Sequence, residues 1–331
     1  MVMCIIKKLF KRKFARLSAR IAPFFSLVLL VSCTRACVGI PEIGSQRTPV
    51  RLFLASRVPF EKTALMPISQ CVEAYSHYKL QIEVAADEQA VVSALSRDEA
   101  HIAYLTPMNY VAASSKLGAV AHRVRLEAGA PANRAVIIGK RSNWQTYLSE
   151  QGLSFSVSGL QSENALDPIA RGRFLFSDPD SDLGFFVPRH MLFLRNIFPE
   201  EAAFAGGDDM VAQGLARDLG IAGVVSEAWL RQTYNIEQVL QLGMAAGQFG
   251  VLALSQPLPG SVLVSKTDFS QKVLTAVLSG LDKCSTGEAQ KEVAQVFGGE
   301  SFGTVSERMF TYARELREIQ ETFLRVVEPQ E

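Results

Sequence analysis

Phe176-Ser-Asp-Pro-Asp-Ser-Asp-Leu-Gly-Phe-Phe-Val-Pro-Arg189 is the stretch around which the chain is organised. Leu175 and Phe176 end a short apolar run and Asp178-Pro179 breaks it. Ser181 or Asp182 then stands at a helix N-cap position, ahead of an apolar run from Leu183 to Leu194. The order is strand, tight turn, helix start. At such a start the first backbone N–H groups have no intrahelical partners and the helix dipole adds partial positive charge, so the turn is a seat for an anion. Gly184, lacking a Cβ, lets a ligand approach the backbone.

Outward from this turn the chain alternates strand and helix. Val50 to Ala55 reads as a strand, and Leu65, Ile68, Val72 and Tyr75 mark one face of a helix. Ile82 to Val84 is a strand, Ala90 to Leu95 a helix and Ile102 to Leu105 a strand. Such alternation predicts an α/β protein with a largely parallel sheet covered on both faces. Ligands of these sheets sit beyond the carboxyl ends of the strands. The loops 56–60 and 104–108 are therefore candidates, with Arg57, Tyr104 and Thr106 as contacts; Arg57 either pairs with an anion or is an ordinary surface arginine.

The quoted turn, together with four other pieces in order, carries a family resemblance. Asp178-Pro-Asp-Ser-Asp-Leu-Gly-Phe-Phe-Val-Pro188 resembles the D-P-x-S-x-S-G-x-x-x-P signature of the phosphonate, phosphite and phosphate substrate-binding proteins of ABC importers. Ala100-His-Ile-Ala-Tyr-Leu-Thr-Pro-Met108, Ala205-Gly-Gly-Asp-Asp209, Ile221-Ala-Gly-Val-Val-Ser-Glu-Ala228 and Gln256-Pro-Leu-Pro-Gly260 are similar to other signatures of that family, in its order along the chain, and the resemblance runs from about Val50 to about Phe310. It implies a bilobal periplasmic-binding-protein fold of type II: two α/β lobes joined by two crossing strands, a hinge that closes on a ligand, and an ABC permease as partner. Lobe 1 is then 48–135 plus 255–331, with a long C-terminal helix, and lobe 2 is 136–254. Ser181, Asp182, Leu183, Gly184, Asp208, Ser226 and Glu227 fall at the implied ligand cleft. In phosphonate binders acidic residues near Asp208 meet an amino group; alternatively Asp208 or Asp209 caps a helix over 210–215.

The chain departs from the family at the central position. Ser181 is kept, but Asp182 and Leu183 stand where hydroxyls are usual. A carboxylate there repels a phosphonate and a leucine donates nothing, so a neutral or cationic ligand, or none, is expected.

At 331 residues with 48% hydrophobic and 20% charged residues, the chain is long enough for two lobes with separate cores. The net charge of +1 hides an asymmetry. Residues 1–32 hold seven of the 34 basic residues and no acid, leaving 27 basic against 33 acidic residues, which argues against a nucleic-acid protein. Those seven precede an apolar run, 21–32, of signal-peptide length. Leu30-Val-Ser-Cys33 resembles the lipobox of bacterial lipoproteins, which implies lipidation at Cys33 and a membrane anchor in the cell envelope. Residues 33–47 read as a tether.

Of the other cysteines, Cys4 leaves with the signal peptide, and Cys37, Cys71 and Cys284 remain; Cys71 and Cys284 form a disulfide or stay as buried thiols. No metal-ligand spacing or cofactor motif is present. Residues 147–161, rich in Ser and Gly, read as a surface loop.

Val305, Met309, Tyr312, Leu316, Ile319, Phe323 and Val326 form a heptad-like seam near the C terminus. Such a helix docks on its own domain or meets a partner, including a second copy as a homodimer. Gly299-Glu-Ser-Phe-Gly303 matches the hydrolase nucleophile elbow, but His77, His101, His122 and His190 all precede it, so the required base in chain order is missing and no enzyme is expected. The expected function is a membrane-anchored solute-binding lipoprotein of an ABC importer with an altered anion seat. The alternative is a bilobal sensor or interaction lipoprotein with a repurposed cleft.

Overall fold

The computed structural model describes residues 42–55, 62–155, 163–233, 244–245 and 248–327, with 62, 163–165, 244–245 and 321–327 by backbone alone. The signal segment 1–32, Cys33, Cys37, the loop 56–60 with Arg57, and part of the expected 147–161 loop lie outside the described residues. Ile43–Glu331 forms one compact unit, which contains two six-stranded sheets, a two-stranded one and three hydrophobic cores among the described residues.

In chain order the strands are β1 (Val50–Ala55), β2 (Leu80–Ala85), β3 (Ile102–Leu105), β4 (Ala119–Leu126), β5 (Ala132–Asn133), β6 (Ala135–Lys140) and β7 (Arg173–Phe176). They continue as β8 (Glu201–Phe204), β9 (Ala222–Ser226), β10 (Met244–Ala245), β11 (Phe249–Leu254), β12 (Leu258–Pro259), β13 (Val262–Lys266) and β14 (Ser301–Thr304). One six-stranded sheet runs β14-β4-β13-β3-β1-β2 and the other β10-β11-β6-β9-β7-β8.

Each sheet has a parallel trio built by strand–helix alternation, β2-β1-β3 and β8-β7-β9. All four residues of β3 are buried, because Ile-Ala-Tyr-Leu sits in a central strand covered on both faces. An antiparallel strand then joins each trio: β13 beside β3, and β6 beside β9. The chain passes between the lobes after β4 and again after β11, and the two passages pair with each other as β5 and β12. Gly260 follows β12 because a Cβ there would lie 2.5 Å from the Arg125 carbonyl oxygen.

The helices are α1 (Leu65–Ser76), α2 (Glu88–Ser96), α3 (Pro107–Leu117), α4 (Arg141–Glu150), α5 (Val187–Phe193), α6 (Asp208–Ala216), α7 (Glu227–Thr233), α8 (Gln271–Ser285), α9 (Gln290–Phe297) and α10 (Thr311–Val327). In α1, Ile68 and Val72 are buried as the spacing predicts. Tyr75 turns outward beneath the Lys283 ammonium, 5.0 Å from its ring, because the buried face runs through Cys71 instead. Cys71 is bonded to Cys284 of α8, 213 residues away in sequence. The pairing left open by the cysteine count is thereby decided.

Two expectations need correction, and one that was left open is decided in part. Residues 147–150 are not loop but the last part of α4, anchored by buried Trp144 and Leu148, whose i, i+4 spacing is diluted by polar neighbours. The end of the expected tether is folded: Gly44 N–H donates to the Thr48 carbonyl, and Lys79 N–H donates to the Gly44 carbonyl. The early part of the C-terminal seam is used within the chain, since α10 packs on α3 and buries Tyr312, Ala313 and Leu316. The side chains of Phe323 and Val326 lie outside the described residues. No helix among the described residues is long and apolar enough to cross a membrane.

Candidate functional site

The turn after β7 does not run straight into a helix. Ser181 is the cap, its Oγ accepting the Gly184 N–H at 2.9 Å. Asp182–Phe186 then forms a single π-helical turn, and α5 starts only at Val187. Pro188 supplies the cause: it has no N–H to donate back to Gly184, so the Gly184 carbonyl instead accepts the Ser177 N–H at 3.3 Å. The approach to Gly184 expected of a ligand is made by the chain itself. A Cβ at Gly184 would stand 2.0 Å from Ser177 Oγ.

The two lobes use matching devices at the end of the last strand of each parallel trio, β3 and β9. In lobe 1, Glu88 at the start of α2 reaches the residue after β3: its Oε2 accepts from Thr106 Oγ1 at 2.8 Å and Thr106 N at 3.1 Å, and from Asn109 Nδ2 at 2.6 Å. In lobe 2, Asp208 at the start of α6 reaches the last residue of β9, its Oδ2 accepting from Ser226 Oγ at 2.7 Å and Ser226 N at 2.9 Å. Burial pushes the Asp208 carboxyl above its ordinary range, while hydrogen bonds from Ser226 and Ser177 pull the other way. Asp208 is therefore not the cap of its own helix; Gly207 occupies that position.

Asp182 links the lobes. It is 6% exposed, and its Oδ2 accepts the Met108 N–H of α3 at 3.4 Å. Because Pro107 opens α3 and has no N–H, Met108 carries the first free donor of that helix. Asp182 thus brings a carboxylate from lobe 2 to the positive end of a lobe 1 helix rather than capping its own.

The remaining expected contacts disperse. Tyr104 turns into the lobe 1 core, where its hydroxyl donates to the Phe297 carbonyl at 2.7 Å. Glu227 accepts Arg231 Nη2 at 2.6 Å on its own helix. Leu183 is half-buried against the core that spans both lobes. His190 lies half-buried on α5, and burial holds its imidazole below the usual range. Ser301 of the elbow-like sequence lies in β14, paired with β4.

A cavity of about 390 Å³ opens between the lobes beside Asp182. It is bordered by the carboxylates of Asp87, Glu88, Asp178, Asp180 and Asp182, with Arg317 as the basic residue among the described lining. Asp87, Glu88 and Asn109 went unnoticed in the sequence. Their signal was position, just past β2 and β3, where ligands of parallel sheets bind. Among the described residues no three His, Cys, Asp or Glu side chains converge as a metal site.

No curated protein sequence matches the chain. Among solved structures, a binding protein component of an ABC phosphonate transporter from Pseudomonas aeruginosa superposes with TM-score 0.54 at 16% identity, covering 82% of this chain and 87% of that one. PhnD1 from Prochlorococcus marinus, in complex with methylphosphonate, gives 0.57 at 12%, covering 83% and 99%. A Xanthomonas citri protein bound to chloride gives 0.58 at 15%, covering 84% and 99%. These likenesses speak to the fold. Residues 61–310 match the profile of the periplasmic substrate-binding proteins of phosphonate ABC transporters, and over that span the chain belongs to this non-enzymatic family.

Proposed function

We propose that the protein is a lipid-anchored solute-binding component of an ABC importer whose cleft takes a cationic solute in place of a phosphonate. The observation that carries this reading is the buried Asp182 carboxylate at the N terminus of α3. An anion bound there would compete with a fixed negative charge for the same N–H. The hydroxyls and N–H groups of Thr106 and Ser226 are engaged by Glu88 and Asp208, which removes them as ready donors. The acidic border of the adjoining cavity supports a cation in electrostatic terms. Methylphosphonate and chloride, named with two structural neighbours, are both anions; on this reading the Asp182 carboxylate turns the cleft of this chain away from such ligands.

Calorimetric titration with methylphosphonate, phosphate, methylammonium and a short diamine tests the reading. Heat from the amines alone supports it, and micromolar binding of methylphosphonate overturns it. The anchor rests on the sequence of 1–33, with its basic segment, short apolar core and Leu-Val-Ser-Cys33. Detergent partitioning and N-terminal mass of the unmodified chain and Cys33→Ser decide it: an unlipidated N terminus at another residue rejects the anchor.

A further inference from the structure

We infer that the two lobes hold themselves together: Asp182 of lobe 2 caps helix α3 of lobe 1, so closure of the cleft is made by the chain's own groups and needs no solute. The cap position of α3 belongs to Thr106, a residue type whose hydroxyl ordinarily accepts an N–H of the first helical turn. Here that hydroxyl donates to Glu88 Oε2 at 2.8 Å and makes no cap bond. Pro107 has no N–H, so the first donor of α3 is Met108, and its bond runs across the cleft to Asp182 Oδ2. Both residues are buried, each 6% exposed. The start of a lobe 1 helix is thus completed by a residue of lobe 2.

Two further features fix the lobes at this spacing. At the hinge, the buried Asn133 amide reaches both ways: its Nδ2 donates to Glu127 Oε2, just past β4, at 2.9 Å, and its Oδ1 accepts the Ala228 N–H of α7 at 3.0 Å. One hydrophobic core contains Phe176, Val187 and Leu192 of lobe 2 together with Met108 and Leu316 of lobe 1, and opening would return part of that surface to water. Cavities flank the junction: the one of about 390 Å³ beside Asp182 and a second chamber of about 440 Å³ between α5 and α10. Met108, Phe186 and Gln320 border both, so the lobes meet here through a narrow partition, and Asp182 bonds into it. In so small a contact a single capping bond weighs heavily. A solute moves a hinge only through contacts that differ between its two states. The hydroxyls of Thr106 and Ser226 are already engaged by Glu88 and Asp208, which leaves a solute few such contacts to add at the strand ends. Self-closure goes beyond the cationic reading and is independent of the solute's charge.

The test is amide hydrogen exchange on the full chain, unfolded in urea and refolded in buffer without solute, read at Met108. First-turn amides of a helix have no intrahelical acceptor and exchange fast unless something outside the helix holds them. In the unmodified protein Met108 should be protected. Asp182→Ala, which removes the acceptor, should speed exchange at Met108 by about tenfold or more, while the amides of α8, in the lobe 1 core, keep their rates. Asp182→Asn retains an acceptor and should fall between the two. If Met108 of the unmodified protein exchanges as fast as an uncapped helix start, or if Asp182→Ala leaves its rate unchanged, self-closure is overturned. Should Asp182→Ala not fold, the unmodified protein and Asp182→Asn decide in its place, equal rates at Met108 overturning the cap. Neither result bears on whether amines bind, so the cationic reading stands or falls separately on its calorimetry.

Discussion

Replacing Asp182 by asparagine preserves the side chain's shape and an acceptor for Met108 while removing the charge, so it isolates the electrostatic part of the anion seat. Asp182 is 6% exposed, and solvent and salt therefore screen it poorly. A phosphonate drawn to the same helix end would lie about 4 Å from the carboxylate. At an effective dielectric of about 20, the repulsion is on the order of 4 kcal/mol per charge pair. That corresponds to roughly a thousandfold in affinity. The variant also weakens the charge-assisted hydrogen bond from Met108, a bond of a kind worth about 1.5–3 kcal/mol at ideal length and less at the observed 3.4 Å. Leu183 is left unchanged, because it packs on the core and a serine there would lose burial. Calorimetry with methylphosphonate should show no heat for the unmodified protein and measurable binding for Asp182→Asn, with a cooperative denaturant transition showing that the variant is folded. Micromolar binding before the change, or no gain after it in a folded variant, would refute the argument.

Gly184→Ala should lower stability by about 1–3 kcal/mol, since its Cβ meets Ser177 Oγ at 2.0 Å, and adding Ser177→Ala should recover part of the loss in urea titrations. Removing the Cys71–Cys284 bond by paired serine substitution should cost about 2–4 kcal/mol, up to roughly 5 for so long a loop, whereas an unchanged midpoint would show that the bond does not constrain the unfolded chain. Asp208 has its folded pKa raised above 3.8, so its contribution is fully present below that pH and is lost as pH rises through the higher folded value. The stability of the unmodified protein relative to Asp208→Asn should therefore decline as pH rises above about 4, and parallel stability curves would show that burial does not disfavour this charge.

The amino-acid sequence determined the α/β class, the order of the first three strands and two helices of lobe 1, and the family, because local periodicity and turn chemistry are written in neighbouring residues. Asp178-Pro179 and Pro188 already marked the turn, and Asp182 is the residue from which an altered anion seat is expected. What Asp182 touches was not legible. Its partner, Met108, is 74 residues away and is a backbone N–H, which no side-chain pattern announces. The same holds for Glu88 on Thr106, 18 residues apart, and for Asp208 on Ser226, where a carboxylate at a helix start reads as a local cap until the sheet brings a neighbouring strand end within reach. The cysteines could be counted, but only the packing of α1 on α8 set Cys71 against Cys284. The paired chambers belong wholly to the tertiary structure. Their walls come from both lobes and from α10, and a void between elements is a property of how they meet, recorded in none of them separately.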